Sequence, residues 1–291
     1  MSLGGMVFRT FLAGFLALCG TAQAAEISSI SWDEGSAQPT RAIAGQRTLF
    51  TRTIHDMDYD PIHDEIVVPQ FFAFAIMTFR GDANGDTAPI RMIFGPSTQL
   101  KNTDAVTVDG VHNEIFVPQG ERILVFPREA DGDAKPIRIL EGPDTGLRGG
   151  GGVGRVAVDP VHNLLIAAGR TGGGDGNARL AIFDRTASGN AKPLRVIAGT
   201  KSLVSGSSIL MVYPDKGLIF ATIRGGSRFS HGDFAGVWSV NDSGDMPPRW
   251  RVGEGVLRDI RDVTIDAKNK SVLISDKALN AVLTFHTPEI F

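Results

Sequence analysis

Short apolar runs rich in Val, Ile, Leu and Phe alternate with turn residues along nearly the whole chain. One stretch shows the unit: Ala105-Val106-Thr107-Val108-Asp109, then Gly110-Val111-His112-Asn113, then Glu114-Ile115-Phe116-Val117. Runs this short, bounded by Gly, Asn and Asp, predict strands joined by tight turns. The closing Asp recurs as Asp60, Asp109, Asp159 and Asp266, with Tyr213 in the same position, at intervals of 49 to 54 residues. Six positions after each stands an apolar residue: Ile66, Ile115, Leu165, Ile219 and Val272. A third strand follows at 123–126, 180–183, 237–240 and 282–285. A fourth run carries Pro, Arg two residues later and Gly four after that, as in Pro89-Ile90-Arg91-Met92-Ile93-Phe94-Gly95. It recurs at 39–45, 136–142, 193–199 and, one residue out of step, 247–253, each time after a turn pair such as Asn84-Gly85 or Asp131-Gly132.

Four short strands per fifty or so residues predict the blades of a β-propeller. The expected fold is all-β with five four-stranded blades, at about 55–95, 104–142, 154–199, 208–253 and 262–286. The last blade runs out of chain after its third strand, while the first fourth-type run, residues 39–45, precedes any inner strand. That run is expected to close the C-terminal blade beside residues 282–285, removing two exposed sheet edges. Six blades is the alternative count.

The residues 106–117 and the hairpin Asp131-Gly132-Asp133-Ala134-Lys135-Pro136-Ile137-Arg138 resemble NHL-type and YVTN-type repeats of exported bacterial propellers, within the lactonase-like and TolB-like superfamily. The resemblance spans the chain after its first segment and implies the propeller fold. For function it implies only a range, since such relatives include ligand-binding scaffolds, lyases and lactonase-like hydrolases. NHL-like propellers usually have six blades, so a count of five departs from that pattern.

Residues 1–24 are expected to be a signal peptide outside the fold. Arg9 supplies a positive start, residues 10–20 an apolar stretch, and Ala22-Gln23-Ala24 a small-x-small cleavage pattern. Retention as an anchor, through Cys19, is the alternative, although bulky Leu18 precedes that cysteine. Residues 25–291 are then a single propeller domain, periplasmic or secreted, with no membrane span once the leader is removed. Cys19 is the chain's only cysteine, so the mature protein has no disulfide, thiol nucleophile or thiolate metal site. A net charge of −3 without a basic tract argues against nucleic-acid binding. A monomer is expected.

Candidate chemistry divides into what obeys the repeat and what breaks it. His63, His112 and His162 recur three residues after the Asp and are read as turn residues, one per blade, as are Asp60, Asp109, Asp159 and Asp266. The outer-strand arginines, Arg91, Arg138, Arg195 and Arg249 among them, are read as partners of acidic neighbours. Two Gly-rich stretches, 148–154 and 170–176, precede or join strands and lack the helix N-terminus of a phosphate loop. Residues 82–86 hold a fragment of calcium-loop spacing without its distal Glu. By contrast, the residues leading into the inner strands differ from blade to blade: His55, Asp56, Asp104, Arg155, Arg261 and Asp262. With Gln70, Gln119 and Arg224 at second-strand exits, and His231 in the long loop 224–234, they form a candidate ligand ring at one channel mouth. That loop is expected to cover the mouth. No Ser-His-Asp constellation or nucleophile elbow is visible.

These features point to an exported, non-catalytic binding or scaffold propeller recognising a small ligand or a protein partner at one channel face. No cofactor is expected. The alternative is a metal-dependent lactonase-like hydrolase or lyase using the channel-mouth carboxylates, with a divalent cation such as calcium.

Overall fold

A computed structural model of the chain describes residues 39–147, 153–170, 178–204, 208–225 and 232–291, with Arg170 described by its backbone only. The proposed signal peptide lies outside the described residues. The described residues are all-β: nineteen strands in five antiparallel sheets, joined by turns and short 3₁₀ segments. Among the described residues no helix is long and apolar enough to cross a membrane.

The first blade is β1 (Asp58–Asp60), β2 (Glu65–Gln70), β3 (Ala75–Arg80) and β4 (Arg91–Ile93), paired in chain order. The second repeats this with β5 (Thr107–Asp109), β6 (Glu114–Gln119), β7 (Arg122–Pro127) and β8 (Arg138–Glu141). The third comprises β9 (Val153–Asp159), β10 (Leu164–Arg170), β11 (Ala178–Asp184) and β12 (Arg195–Ala198). The fourth follows with β13 (Leu210–Tyr213), β14 (Leu218–Ile223), β15 (Phe234–Ser239) and β16 (Trp250–Val252). The fifth ladder has three strands, β17 (Ile260–Asp266), β18 (Ser271–Asp276) and β19 (Ala281–His286). The five-bladed propeller read from the repeat is the fold observed.

Each Asp at the end of an inner strand organises the next turn. Asp109 Oδ1 accepts the backbone N–H groups of Val111 and His112, and its Oδ2 pairs with Nδ1 of His112 at 2.7 Å. Asp60 with His63 and Asp159 with His162 repeat the arrangement. The recurring histidines are therefore turn residues, one per blade, as expected. In the first four blades second and third strands are buried on both faces, so their apolar runs are continuous rather than alternating. Side chains of adjacent blades interdigitate: Val67, Ile76 and Ile93 of blade 1 pack with Ile115, Val117 and Leu124 of blade 2.

The fourth-strand motif locks each of the first three blades to its successor. Ile93, Leu140 and Ile197 form single parallel bridges to Gly132, Gly189 and Gly244 in the next blade's outer turn. Residues 39–45 stand in the same relation to blade 1, with Ile43 bridged to Gly85 and Gly85 N–H donating to Ala42 O at 2.6 Å. The N-terminal run thus sits against the outer turn of blade 1 through a single bridge and forms no strand of its own. Its expected ladder onto residues 282–285 is not among the strand pairings of the described residues, and Val282 is 69% exposed. Instead the C-terminus tucks under blade 4, with Ile290 buried and the Phe291 ring 5.4 Å from that of Tyr213.

Candidate functional site

Strand alternation splits the sequence-read ring into two levels. Four residues before each anchor stand Asp56, Ala105, Arg155, Ile209 and Asp262; two residues before stand Asp58, Thr107, Ala157, Met211 and Thr264. Residues two apart on a strand share a face. Along the channel wall these side chains lean onto the neighbouring inner strand. Asp56 Oδ2 accepts Val106 N–H at 3.1 Å, Asp58 Oδ2 accepts Val108 N–H at 2.7 Å, and Thr107 Oγ1 donates to Val156 O at 2.8 Å. A cavity of about 300 Å³ runs down this axis, walled by Asp56, Asp58, Val106, Arg155, Met211 and Asp262 among others.

Burial raises the Asp56 carboxyl above the usual carboxylate range, against the pull of Arg155 and the Val106 N–H. Asp262 is raised for the same reason, eased by the Val263 N–H and Arg155. Asp58 is pushed up to about 6 by burial, although it accepts hydrogen bonds from the N–H groups of Val108 and Tyr59. Three carboxyls therefore share a confined space with one guanidinium.

Above them the axis opens into a second cavity of about 500 Å³, where His55, Asp104, Arg155, Arg224, Arg261 and Asp262 meet. Arg155, Ile209 and Asp262 line both spaces, so the two adjoin. Gly154, Ser208 and Ile209 complete the mouth. His55 Nδ1 is hydrogen-bonded to Asp104 Oδ1, and the His55 ring lies 5.4 Å from that of Phe71. Arg155 Nη1 donates to Gly154 O and lies 3.7 Å from Asp104 Oδ2, while Arg261 Nη2 donates to Asp259 at 2.9 Å. Arg224 Nε donates to Ile260 O at 3.2 Å. The Nε atoms of Arg155 and Arg261 are buried without a hydrogen-bond partner among the described residues.

Seven of the ten candidate residues are thus brought to the axis: His55, Asp56, Asp104, Arg155, Arg224, Arg261 and Asp262. Gln70 and Gln119 are not. Gln70 Oε1 accepts Thr51 N–H at 2.7 Å, and Gln119 Nε2 donates to Gln99 O at 3.0 Å. Both are buried and hold the segment that leads into the inner strand of their own blade, as Asp276 does by accepting Arg258 and Asp259 N–H. A second-strand exit therefore places a side chain beneath the connecting segment rather than in the pore. His231 lies outside the described residues, as do 226–230 of the same loop and most of both Gly-rich stretches.

Sequence reasoning missed Asp58 and Phe71. Asp58 had a signal: two residues beyond Asp56, it must share its face. At 82–86, Asn84 and Asp86 accept the backbone N–H groups of Ala42 and Arg47, and Asp82 pairs with Arg80 at 2.8 Å, the bonding of a turn. Among the described residues no three His, Cys, Asp or Glu side chains are grouped to hold a metal ion. Ser208, His55 and Asp104 do line one cavity, coming from blades 4, 1 and 2.

No protein-family model matches the chain, and no curated protein matches it.

Proposed function

We propose that this chain is an exported, NHL/YVTN-like propeller that acts as a non-catalytic binding module and takes a small organic anion at its channel mouth. The observation that carries the reading is the convergence of Arg155, Arg224 and Arg261 on one cavity of about 500 Å³ with donor capacity left over. A guanidinium offers five N–H donors in a planar fork matched to carboxylate. These three come from blades 3, 4 and 5, so the ring itself brings them together. The cavity lies within the range of small-ligand sites. Export is supported by residues 1–24, and the family by the repeats at 106–117 and 131–138.

Calorimetry with succinate, gluconate, butyrate and inorganic phosphate tests the reading. At least one organic anion is expected to bind, and R224Q is expected to weaken it about tenfold, equivalent to about 1.4 kcal/mol, without lowering the melting temperature of the free protein. Absence of binding, or binding indifferent to both R155Q and R224Q, overturns it. The His55–Asp104 hydrogen bond favours a second reading, hydrolysis with His55 as base towards water. Turnover of an ester or lactone that is lost in H55Q would replace binding with catalysis.

A further inference from the structure

The mouth and the channel beneath it carry opposite charge. Arg224 and Arg261 stand at the rim; Asp56 and Asp58 stand below, with Arg155 and Asp262 at the junction. A simple anion satisfies the rim and leaves the carboxylates facing an empty, confined space. A simple cation does the reverse. Burial of carboxyls whose charged form is disfavoured is offset most directly by a positive group beside them.

We propose that the ligand is a small zwitterion, with its carboxylate held by Arg224 and Arg261 and its ammonium lowered into the channel against Asp56 and Asp58. The inference rests on the mouth being a binding site and adds the chemical class of its occupant. Each Asp already accepts a backbone N–H on Oδ2, from Val106 and from Val108, and Asp58 Oδ1 also accepts the Tyr59 N–H. Those bonds orient the carboxylates, and the remaining lone pairs are left for an ammonium's three donors. Two residues of extended strand rise about 6.6 Å, so Asp58 is set that much further from the mouth than Asp56. An extended ω-amino acid therefore reaches both levels better than an α-amino acid, whose two charges share one carbon. Ile209 and Met211 on the wall offer a surface against which a methylene chain can lie.

The test is calorimetric titration of the full chain with glycine, 4-aminobutyrate, 6-aminohexanoate, butyrate and butylamine. One of the two longer amino acids is expected to bind at least tenfold more tightly than butyrate and butylamine, with glycine weaker than both longer zwitterions. D58N is expected to weaken the zwitterion about tenfold and leave butyrate equal or stronger; D56N serves as the second variant should D58N fail to fold. Butyrate binding as tightly as the zwitterions, with loss in R224Q, overturns the zwitterion while the anion mouth stands. Butylamine binding as tightly, or zwitterion binding unchanged in both Asp variants, also overturns it. Failure of every compound to bind overturns it and leaves the anion mouth to the other anions tested.

Discussion

Gly45, Gly95, Gly142 and Gly199 close the outer-strand motif with φ between 123° and 135°, a region L side chains rarely adopt. Space forbids a side chain there as well: a Cβ on Gly142 would lie 2.8 Å from Cβ of Asn190. Asn190 sits so close because its Oδ1 accepts the Asp144 N–H at 2.7 Å, clasping the 3₁₀ turn of one blade from the next. Asp86, Asp133 and Asp245 repeat that clasp. Gly253 does not fit the set, since its successor blade has no outer turn to offer a clasp. G142A is expected to cost about 2 kcal/mol through combined strain and collision. G189A, at φ 58° with open space around it, is expected to cost about 1 kcal/mol. Urea denaturation of the two variants checks the difference, and equal costs would remove the clasp as the reason for the glycine.

Between strands, the recurring arginines find carboxylates in a way that ties three elements together. Glu114 at the start of β6 receives Arg138 from β8 through two bonds of 2.7 Å, and also Arg185 from the blade beyond. Glu65 does the same with Arg91 and Arg128. Arg249 pairs with Asp242, whereas Arg195 departs from the pattern by donating to Val240 O. Burial works to raise the Glu114 carboxyl, but its hydrogen bonds and charge attraction with Arg138 and Arg185 outweigh it and hold the carboxyl below its ordinary 4.5. The sign follows from linkage: a depressed acid contributes stability that is complete above its unfolded value and fades as pH falls through the folded one. E114Q is expected to lose about 3 kcal/mol at pH 7 by leaving two guanidinium groups short of charge. Its deficit relative to the native protein should shrink as pH falls below about 4.5. Stability curves at pH 7, 5 and 4 check both statements; a deficit independent of pH would mean the loss is one of packing.

At the scale of the whole ring, the seam is the point where local order has to be completed from the far end of the chain. Residues 39–50 belong in space to blade 1: Ile43 and Phe50 pack on Val68, Met77 and Phe79, with the Phe50 and Phe79 rings 5.1 Å apart. F50A is expected to destabilise the protein by about 3 kcal/mol by opening a cavity over this cluster. The channel mouth, built from inner strands, should still bind its anion in that variant. Thermal unfolding paired with calorimetry measures the two effects, and loss of binding at temperatures where F50A remains folded would show that the seam governs the mouth. The exposed outer strand β19 marks the same place from the other side.

Blade count, strand order, the turn role of Asp109 and His112, and the outer position of residues 39–45 were legible in the sequence, because each is a local pattern repeated at a fixed interval. Repetition averages out the ambiguity of any single apolar run. Which variable residues share a space was only partly legible. Gln70 and Asp104 both sit at the same face end of their strands, yet one is buried under a backbone segment and the other opens to the cavity, since register and connecting-loop path decide between them. Asp58 joins Asp56 by strand parity, but that it is buried enough to hold a proton to about pH 6 depends on the neighbouring inner strand lying against it. The meeting of Arg155, Arg224 and Arg261 depends on how far each blade turns about the axis. That angle arises from side-chain packing between sheets, which no single repeat encodes.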